Sequence, residues 1–212
     1  LVIQISGVGS GRVSAIISNV VADLQVQFNG QNFPLYLYEE VSQSSADGLF
    51  AGNPSDGPRR RDAITDAGFA HFTSAYRGET ITKEDLFYYV YGILHSPDYR
   101  ERYADNLSKE LPRIPRVRTA ADFWRLSKAG RDLAALHLHY EMVEKYPLTF
   151  ETRGGLTDAD YRVEKMKFAK KKDPETGKSV NDRSTVIYNN KITMSGIPEA
   201  AWDCLLYTSL MA

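Results

Sequence analysis

Apolar residues recur at helical spacing through the middle of the chain, and this pattern predicts two helices in series over residues 79–115. The first follows the cap residue Thr82, and Asp85 three residues later completes a capping box. Its inward positions share one helical face: Leu86, Val90, Ile93 and Leu94. The second helix follows Ser96, with proline at its first position, and the later prolines Pro112 and Pro115 end it.

Aromatic residues crowd both of these predicted helices. Tyr99 and Tyr103 lie one turn apart on the second helix, while Phe87 and Tyr89 widen the apolar face of the first. Aromatic residues at helical spacing are typical of a buried core, and we interpret them in this way. A stacking platform for nucleic-acid bases is the alternative interpretation.

Two further helices are predicted, one on either side of this pair. Residues 62–77 form the first, while Thr119 and Asp122 provide the cap of the second. A stripe of inward positions follows that cap: Phe123, Leu126, Gly130, Leu133, His137 and Tyr140. Residues 62–146 are therefore predicted to form a helical core.

The segment before this core, residues 1–41, is predicted to be a β/α segment. Three strands are expected in it, over residues 1–6, 24–28 and 33–39. Asn29-Gly30 lies between the second and third of them and predicts a hairpin. Residues 13–21 are predicted to form a short helix.

The segment after the core, residues 147–203, is predicted to be a small β lobe. Residues 185–188 and 192–194 are expected to be strands on either side of a tight turn at Asn189-Asn190. Residues 169–182 are rich in lysine and are predicted to form a basic loop.

The expected fold class is α+β. A central bundle of about four helices is flanked by an N-terminal strand and hairpin region and a C-terminal β meander. Residues 42–61 lack periodicity, are rich in Ser, Gly, Asp and Pro, and are predicted to be a flexible loop. We expect residues 204–212 to be a non-native tail encoded by a sequencing adapter, which would remove Cys204, the one cysteine of the sequence.

Charge is unevenly distributed along a chain whose formal net charge is −1. Residues 20–98 hold eleven acidic and five basic side chains, whereas residues 100–131 and 161–191 each hold nine basic and four acidic ones. Two basic segments suggest an electrostatic footprint for a polyanion, and ordinary solvated surface is the alternative. No apolar run has the length of a membrane helix.

Motifs for catalysis and for metal binding are missing from the sequence. It contains no phosphate-binding P-loop and no Asn/Asp-Pro-Pro-Tyr/Phe motif for a flipped adenine, and His137 and His139 do not share a helix face. The glycine turn at residues 7–11 resembles a dinucleotide-binding turn, but Arg12 stands where the third glycine belongs. We interpret that turn as one that presents Arg12 to a phosphate, or as a plain connector.

Several longer segments resemble one known family. They are FYYVYGILHSPDYRERYADNLSKELPRIP at residues 87–115, ISGVGSGR at 5–12, GQNFPLYLYE at 30–39, FWRLSKAGRDLAALHLHYE at 123–141 and STVIYNNKITMSGIPEAAWD at 184–203. The chain resembles the C-terminal target-recognition (specificity) domain of type ISP restriction-modification enzymes. Such enzymes carry a nuclease, an ATP-driven helicase-like motor and an adenine methyltransferase before this domain.

Because motifs for catalysis and metal binding are missing from the sequence, we expect that this fragment is not an enzyme and binds no cofactor or metal itself. The parent chain would be a restriction enzyme and adenine-specific DNA methyltransferase that uses S-adenosylmethionine, ATP and Mg²⁺. The expected partners are double-stranded DNA and the methyltransferase and motor domains of the same parent chain, without a membrane. A cytoplasmic location is expected.

Candidate contacts to DNA phosphates lie in the basic segments and at the glycine turn: Arg12, Arg113, Arg116, Arg118, Lys165, Lys167, Lys170, Lys171 and Lys172. The sequence assigns no residue that reads bases. Two alternative functions remain open: a domain that couples its neighbours without touching DNA, and a nucleotide-binding enzyme fragment built on residues 7–11.

Overall fold

The computed structural model describes residues 1–8, 13–27, 29–39, 58–163 and 165–202. The chain forms two units, residues 1–143 and residues 144–212. Helices and antiparallel sheets are both present, which confirms the α+β class. The predicted non-native tail and most of the predicted 42–61 loop lie outside the described residues.

A three-stranded antiparallel sheet opens the first unit, with β1 (Val2–Ile5) between β2 (Ala15–Ser18) and β3 (Gln31–Pro34). All four residues of β1 are buried. The helix predicted over residues 13–21 is wrong, because Ala15 and Ile17 alternate inward and pair with β1 as a strand.

The hairpin predicted around Asn29-Gly30 is also wrong. Residues 24–26 form a turn, and the backbone N–H of Gly30 donates to the carbonyl oxygens of Leu24 and Gln27. Strand β3 pairs instead with β1, where Ile3 faces Phe33. Phe28, the end of the predicted strand, lies outside the described residues.

A second, two-stranded sheet pairs β4 (Tyr36–Glu39) with β5 (Arg59–Asp62). The end of the predicted loop is therefore a strand, which corrects the prediction for Arg59, Arg60 and Arg61. Arg60 stacks over the Tyr36 ring at 4.3 Å, and Arg61 pairs with Glu39, so residues of the facing strand are partners for these two arginines.

Five α-helices follow in the described part of the first unit: α1 (Asp66–Thr73), α2 (Lys83–His95), α3 (Pro97–Arg102), α4 (Ala104–Leu107) and α5 (Ala120–Leu138). The predicted caps are confirmed, since the side chains of Thr82, Ser96 and Thr119 each accept an N–H of the first turn. The predicted second helix is interrupted at Tyr103, whose backbone leaves the helical region (φ −112°, ψ 19°) and separates α3 from α4.

Helices α2 and α5 form the centre of the first unit. They cross where Gly92 meets the backbone of Leu126 and Gly130 meets the backbone of Tyr88. Phe123 of α5 is fully buried and stacks on Tyr89 of α2, with ring centroids 4.8 Å apart. No helix in the described part of the chain is long and apolar enough to cross a membrane.

The second unit is a four-stranded antiparallel sheet in the order β6-β9-β8-β7. Its strands are β6 (Thr149–Thr152), β7 (Lys167–Lys172), β8 (Ser179–Ile187) and β9 (Ile192–Ser195). The tight turn predicted at Asn189-Asn190 connects β8 to β9 as expected. Its small core contains Val186, Ile192 and Trp202.

The basic loop predicted over residues 169–182 is wrong in extent. Strands β7 and β8 occupy most of it, and the connection between them is limited to residues 173–178. The carboxylate of Asp173 accepts the N–H groups of Glu175 and Thr176, which closes a tight turn and allows the strands to continue up to it.

Candidate nucleic-acid interface

A segment without helix or strand connects α4 to α5 and carries three of the candidate arginines. We call this segment, residues 111–118, the arginine ribbon. Pro112 and Pro115 fix their own φ angles and favour extended backbone at the residues before them. Ile114 and Val117 are half-buried and pack against the core of the first unit. The ribbon is therefore attached to the core by its apolar residues.

The arginine side chains of the ribbon are exposed. Arg113 is 86% exposed and pairs with Glu110 at 2.9 Å, a surface ion pair that water and salt screen. Arg116 donates from Nη1 to the carbonyl oxygen of His71 at 2.7 Å. Arg118 makes no ion pair or hydrogen bond with the described part of the chain. All three guanidinium groups are accessible to an anion.

Three tyrosine hydroxyls donate to the backbone of the ribbon. Tyr99 donates to the carbonyl oxygen of Arg113 at 2.9 Å, Tyr89 to that of Pro115 at 2.5 Å, and Tyr76 to that of Val117 at 2.7 Å. The three rings are buried, which confirms the interpretation of Tyr89 and Tyr99 as core residues.

Burial also controls the ionisation of these tyrosines. It raises the pKa of Tyr89 to about 12 and raises the pKa of Tyr99 and of Tyr76 above the ordinary value. The hydroxyls therefore stay protonated at neutral pH and act as donors to the carbonyl oxygens.

Most of the candidate lysines lie on β7, which we call the lysine strand. Lys170 donates to Oδ1 of Asn181 at 2.6 Å, and Lys171 pairs with Asp182 at 3.4 Å. Lys167 and Lys172 are exposed and make no ion pair or hydrogen bond with the described residues. Lys165 is also exposed, just before the strand.

The position of the lysine strand at the edge of its sheet offers a second explanation for its lysines, besides DNA binding. β7 is an edge of the four-stranded sheet, so one side of its backbone is unpaired by that sheet. Lysines on edge strands prevent pairing with other chains. The ribbon and the lysine strand belong to different units, and Arg12 lies outside the described residues.

The glycine turn has a structural explanation at its first position. A Cβ on Gly7 would lie 2.5 Å from the carbonyl oxygen of Asn29, so a side chain does not fit there.

In the described ranges, no group of three or more His, Cys, Asp or Glu side chains is arranged to hold a metal ion.

Sequence reasoning missed the tyrosine contacts to the ribbon. The bonded residues are 14, 26 and 41 positions apart in the chain, and no local pattern links them. The one available signal is composition, since a buried tyrosine usually needs a partner for its hydroxyl.

One protein-family model matches nearly the whole chain. The family model described as the type ISP C-terminal specificity domain matches residues 1–204. No match to this chain is found among curated proteins.

Three solved structures are similar over 95% of this chain. They are the ATP-dependent type ISP restriction-modification enzyme LlaBIII bound to DNA (30% identity, TM-score 0.69), a DrdV–DNA complex (29%, 0.72) and a nuclease-deletion mutant of the type ISP enzyme LlaGI with a DNA substrate mimic (33%, 0.62). This chain covers only 12%, 18% and 15% of those chains, respectively.

Proposed function

Because the chain belongs to the family of type ISP C-terminal specificity domains, we propose that it binds duplex DNA and contributes to target recognition within a longer restriction-modification enzyme. The observation that carries the proposal is the family match over residues 1–204. Its similarity to type ISP enzymes solved with DNA or a DNA mimic, at 30% and 33% identity, supports it.

The ribbon and the lysine strand are the proposed contacts to the phosphate backbone. Arginine guanidinium groups bind phosphate oxygens through two parallel N–H bonds, and lysines bind them as point charges. The accessible guanidinium groups of Arg113, Arg116 and Arg118 support this role. Lys165, Lys167, Lys170, Lys171 and Lys172 are the proposed contacts in the second unit, and Arg12 is a further one. Phosphate contacts fix orientation and register, whereas base contacts supply sequence specificity.

The chemistry of restriction and modification is proposed for other parts of the parent chain. In this proposal a methyltransferase domain binds S-adenosylmethionine and the flipped adenine, while a motor domain uses ATP and Mg²⁺. The present domain then acts without a cofactor of its own, by holding the duplex. The parent enzyme is proposed to act in the cytoplasm.

The test is the salt dependence of binding to a mixed-sequence duplex, measured by fluorescence anisotropy. The logarithm of the association constant should fall linearly with the logarithm of salt concentration, with a slope of about −0.9 for each phosphate contacted. The Arg116→Ala/Arg118→Ala variant should reduce that slope by about 1.8, and Lys170, Lys171 and Lys172→Ala together by about 2.7.

A matched control removes two cations from helix α5, outside both proposed contact segments. Arg125 and Lys128 lie on α5 and pair with Asp122 and Asp132 at 2.8 and 2.6 Å, so the Arg125→Ala/Lys128→Ala variant should change the slope little. Failure of the wild-type chain to bind duplex DNA at low salt would refute the proposed function. Equal effects of the control and the Arg116→Ala/Arg118→Ala variant would refute the ribbon as a specific contact.

Exposed apolar residues at the end of the first unit favour a second candidate function. Tyr140, Met142 and Val143 are 69%, 84% and 46% exposed, and neighbouring exposed apolar residues mark an interaction surface when they form a contiguous patch. The domain would then couple its neighbours in the parent chain without touching DNA. Absence of DNA binding, together with an intact fold, would favour this alternative.

A further inference from the structure

The arginine ribbon forms neither helix nor strand and has no strand partner among the described residues. In a sheet, a neighbouring strand would bond the backbone and fix its course. Here the carbonyl oxygens of Arg113, Pro115 and Val117 accept hydroxyl groups from tyrosines instead. The acceptors are alternate residues, so the contacts recur along the part of the ribbon that carries the cations.

The tyrosines come from three separate places in the fold. Tyr76 follows α1, Tyr89 is in the middle of α2, and Tyr99 is on α3. Tyr89 and Tyr76 both pack on Phe123, with ring centroids 4.8 and 5.3 Å away, and Tyr99 packs on Tyr103 at 5.2 Å. Packed rings allow the hydroxyl groups little movement, so their positions are set by the core.

The hydroxyl of Tyr89 both donates and accepts a hydrogen bond with the backbone of the ribbon. Its hydroxyl donates to the carbonyl oxygen of Pro115 at 2.5 Å and accepts the backbone N–H of Val117 at 3.3 Å. The two contacts flank Arg116, whose side chain is exposed. A phenylalanine at this position would fill nearly the same volume and would lose both bonds.

We propose that Tyr76, Tyr89 and Tyr99 are positioning residues that hold the arginine ribbon in the conformation in which its side chains contact DNA phosphates. This inference rests on the proposed function. The hydroxyls and the half-buried Ile114 and Val117 fix the backbone on its inner side, and the arginines extend from it into solvent. An ordered ribbon loses less conformational freedom on binding, and preorganisation of this kind increases affinity.

Ordering the ribbon also determines how many phosphates it contacts at one time. A backbone held at three alternate carbonyls keeps Arg113, Arg116 and Arg118 at fixed spacings, whereas a released ribbon samples many spacings. Because the salt slope counts simultaneous phosphate contacts, it reports on this order. A tyrosine that served only the stability of the core would not change the slope.

The experiment compares the triple variant Tyr76→Phe/Tyr89→Phe/Tyr99→Phe, and the milder Tyr99→Phe, with Tyr91→Phe as the matched control. Tyr91 is also fully buried, and its hydroxyl bonds to Nδ1 of His137 at 2.5 Å, away from the ribbon. Binding of the 212-residue chain to a mixed-sequence duplex is measured over a salt series. Hydrogen exchange of the ribbon amides and the free energy of unfolding are measured in parallel.

The triple variant should bind the duplex about tenfold more weakly at low salt, and its salt slope should fall by about 1 or more. The amide of Val117 should exchange faster in this variant, because its acceptor is gone. Tyr99→Phe should show the same changes on a smaller scale. Tyr91→Phe should lose stability but keep the wild-type slope and the wild-type exchange of the ribbon.

Three results would overturn the inference. An unchanged slope in the triple variant, with a reduced slope in Arg113→Ala/Arg116→Ala/Arg118→Ala, would reject the positioning role and leave the DNA-binding function in place. An unchanged slope in both variants would reject the ribbon itself as a phosphate contact. Absence of salt-dependent binding by the wild-type chain would reject the inference and the proposed function together.

Discussion

Replacing Gly130 by alanine should force helices α2 and α5 apart and destabilise the first unit. A Cβ at this position would lie 2.0 Å from the carbonyl oxygen of Tyr88 and 2.7 Å from the backbone nitrogen of Gly92. Ordinary van der Waals contact begins near 3.4 Å, so the distance from the Cβ to the Tyr88 oxygen is 1.4 Å too short. Both contacts involve backbone atoms within helix α2, and no side chain can rotate to relieve them.

Two opposing contributions determine the size of the effect. Alanine is the better helix former by about 1 kcal/mol, which would stabilise α5 if the methyl group had room. Overpacking of a dense core typically costs about 1–3 kcal/mol, and rigid backbone on both sides places this site at the upper end. We expect a net loss of about 2 kcal/mol, which corresponds to a melting temperature roughly 4–8 °C lower for a chain of this length.

Urea unfolding followed by circular dichroism measures this loss. The control is Ala129→Gly on the exposed side of α5, which should cost about 1 kcal/mol through helix propensity alone. Gly155→Ala is a second control, because a Cβ there meets nothing within 4 Å. If Gly130→Ala were neutral or stabilising, the close crossing of the two helices would be refuted.

Three further outcomes are expected. Burial lowers the pKa of His95 to about 4, so between pH 6.5 and pH 4 the unfolded chain binds a proton that the folded chain does not. The free energy of unfolding should therefore fall by about 3 kcal/mol from pH 6.5 to pH 4, as measured by urea titrations. The fall should be smaller in His95→Gln than in the control His139→Gln, which changes an exposed histidine. Thr119→Ala removes the oxygen that accepts the N–H of Asp122 and should cost about 1 kcal/mol in thermal unfolding, and recovery with Thr119→Ser would confirm the cap. Trp202→Ala should destabilise the second unit by about 3–5 kcal/mol, seen as faster hydrogen exchange confined to that unit, and exchange spread evenly over both units would contradict a separate core.

Helix ends and turns were predictable because their causes are local. The side-chain oxygen of Thr82 accepts the backbone N–H of Asp85 within the same turn, and the Asp85 carboxylate accepts the backbone N–H of Thr82. The turn at Asn189-Asn190 is local in the same way, since the side-chain oxygen of Asn189 accepts the N–H groups of Lys191 and Ile192. Such bonds form between residues two or three apart, and the sequence displays them directly.

Strand partners were not predictable, because pairing joins distant segments. Residues 15–18 have the apolar spacing of a short helix as readily as that of a strand, and their pairing with β1 decides between the two. The lysines of β7 suggested a loop by composition. Backbone hydrogen bonds to β8 make the segment a strand. The ring of Phe168 within it packs on the ring of Trp202, with centroids 4.9 Å apart.

The candidate interface shows the same division. Sequence alone identified the arginines of the ribbon, since their charge and the neighbouring prolines are properties of the segment itself. It also identified Tyr89 and Tyr99 as core residues. Only the tertiary structure decided that Tyr76, Tyr89 and Tyr99 bond to the backbone that carries those arginines.

The sequence by itself determined the helix caps, the apolar faces, the distribution of charge and the resemblance to a family. The tertiary structure decided the strand partners, the glycine crossing of α2 and α5, and the bonds that hold the ribbon. The physical reason is range: caps and helix faces follow from residues within about one turn of each other, whereas sheets, helix crossings and tyrosine contacts exist only after distant segments have packed.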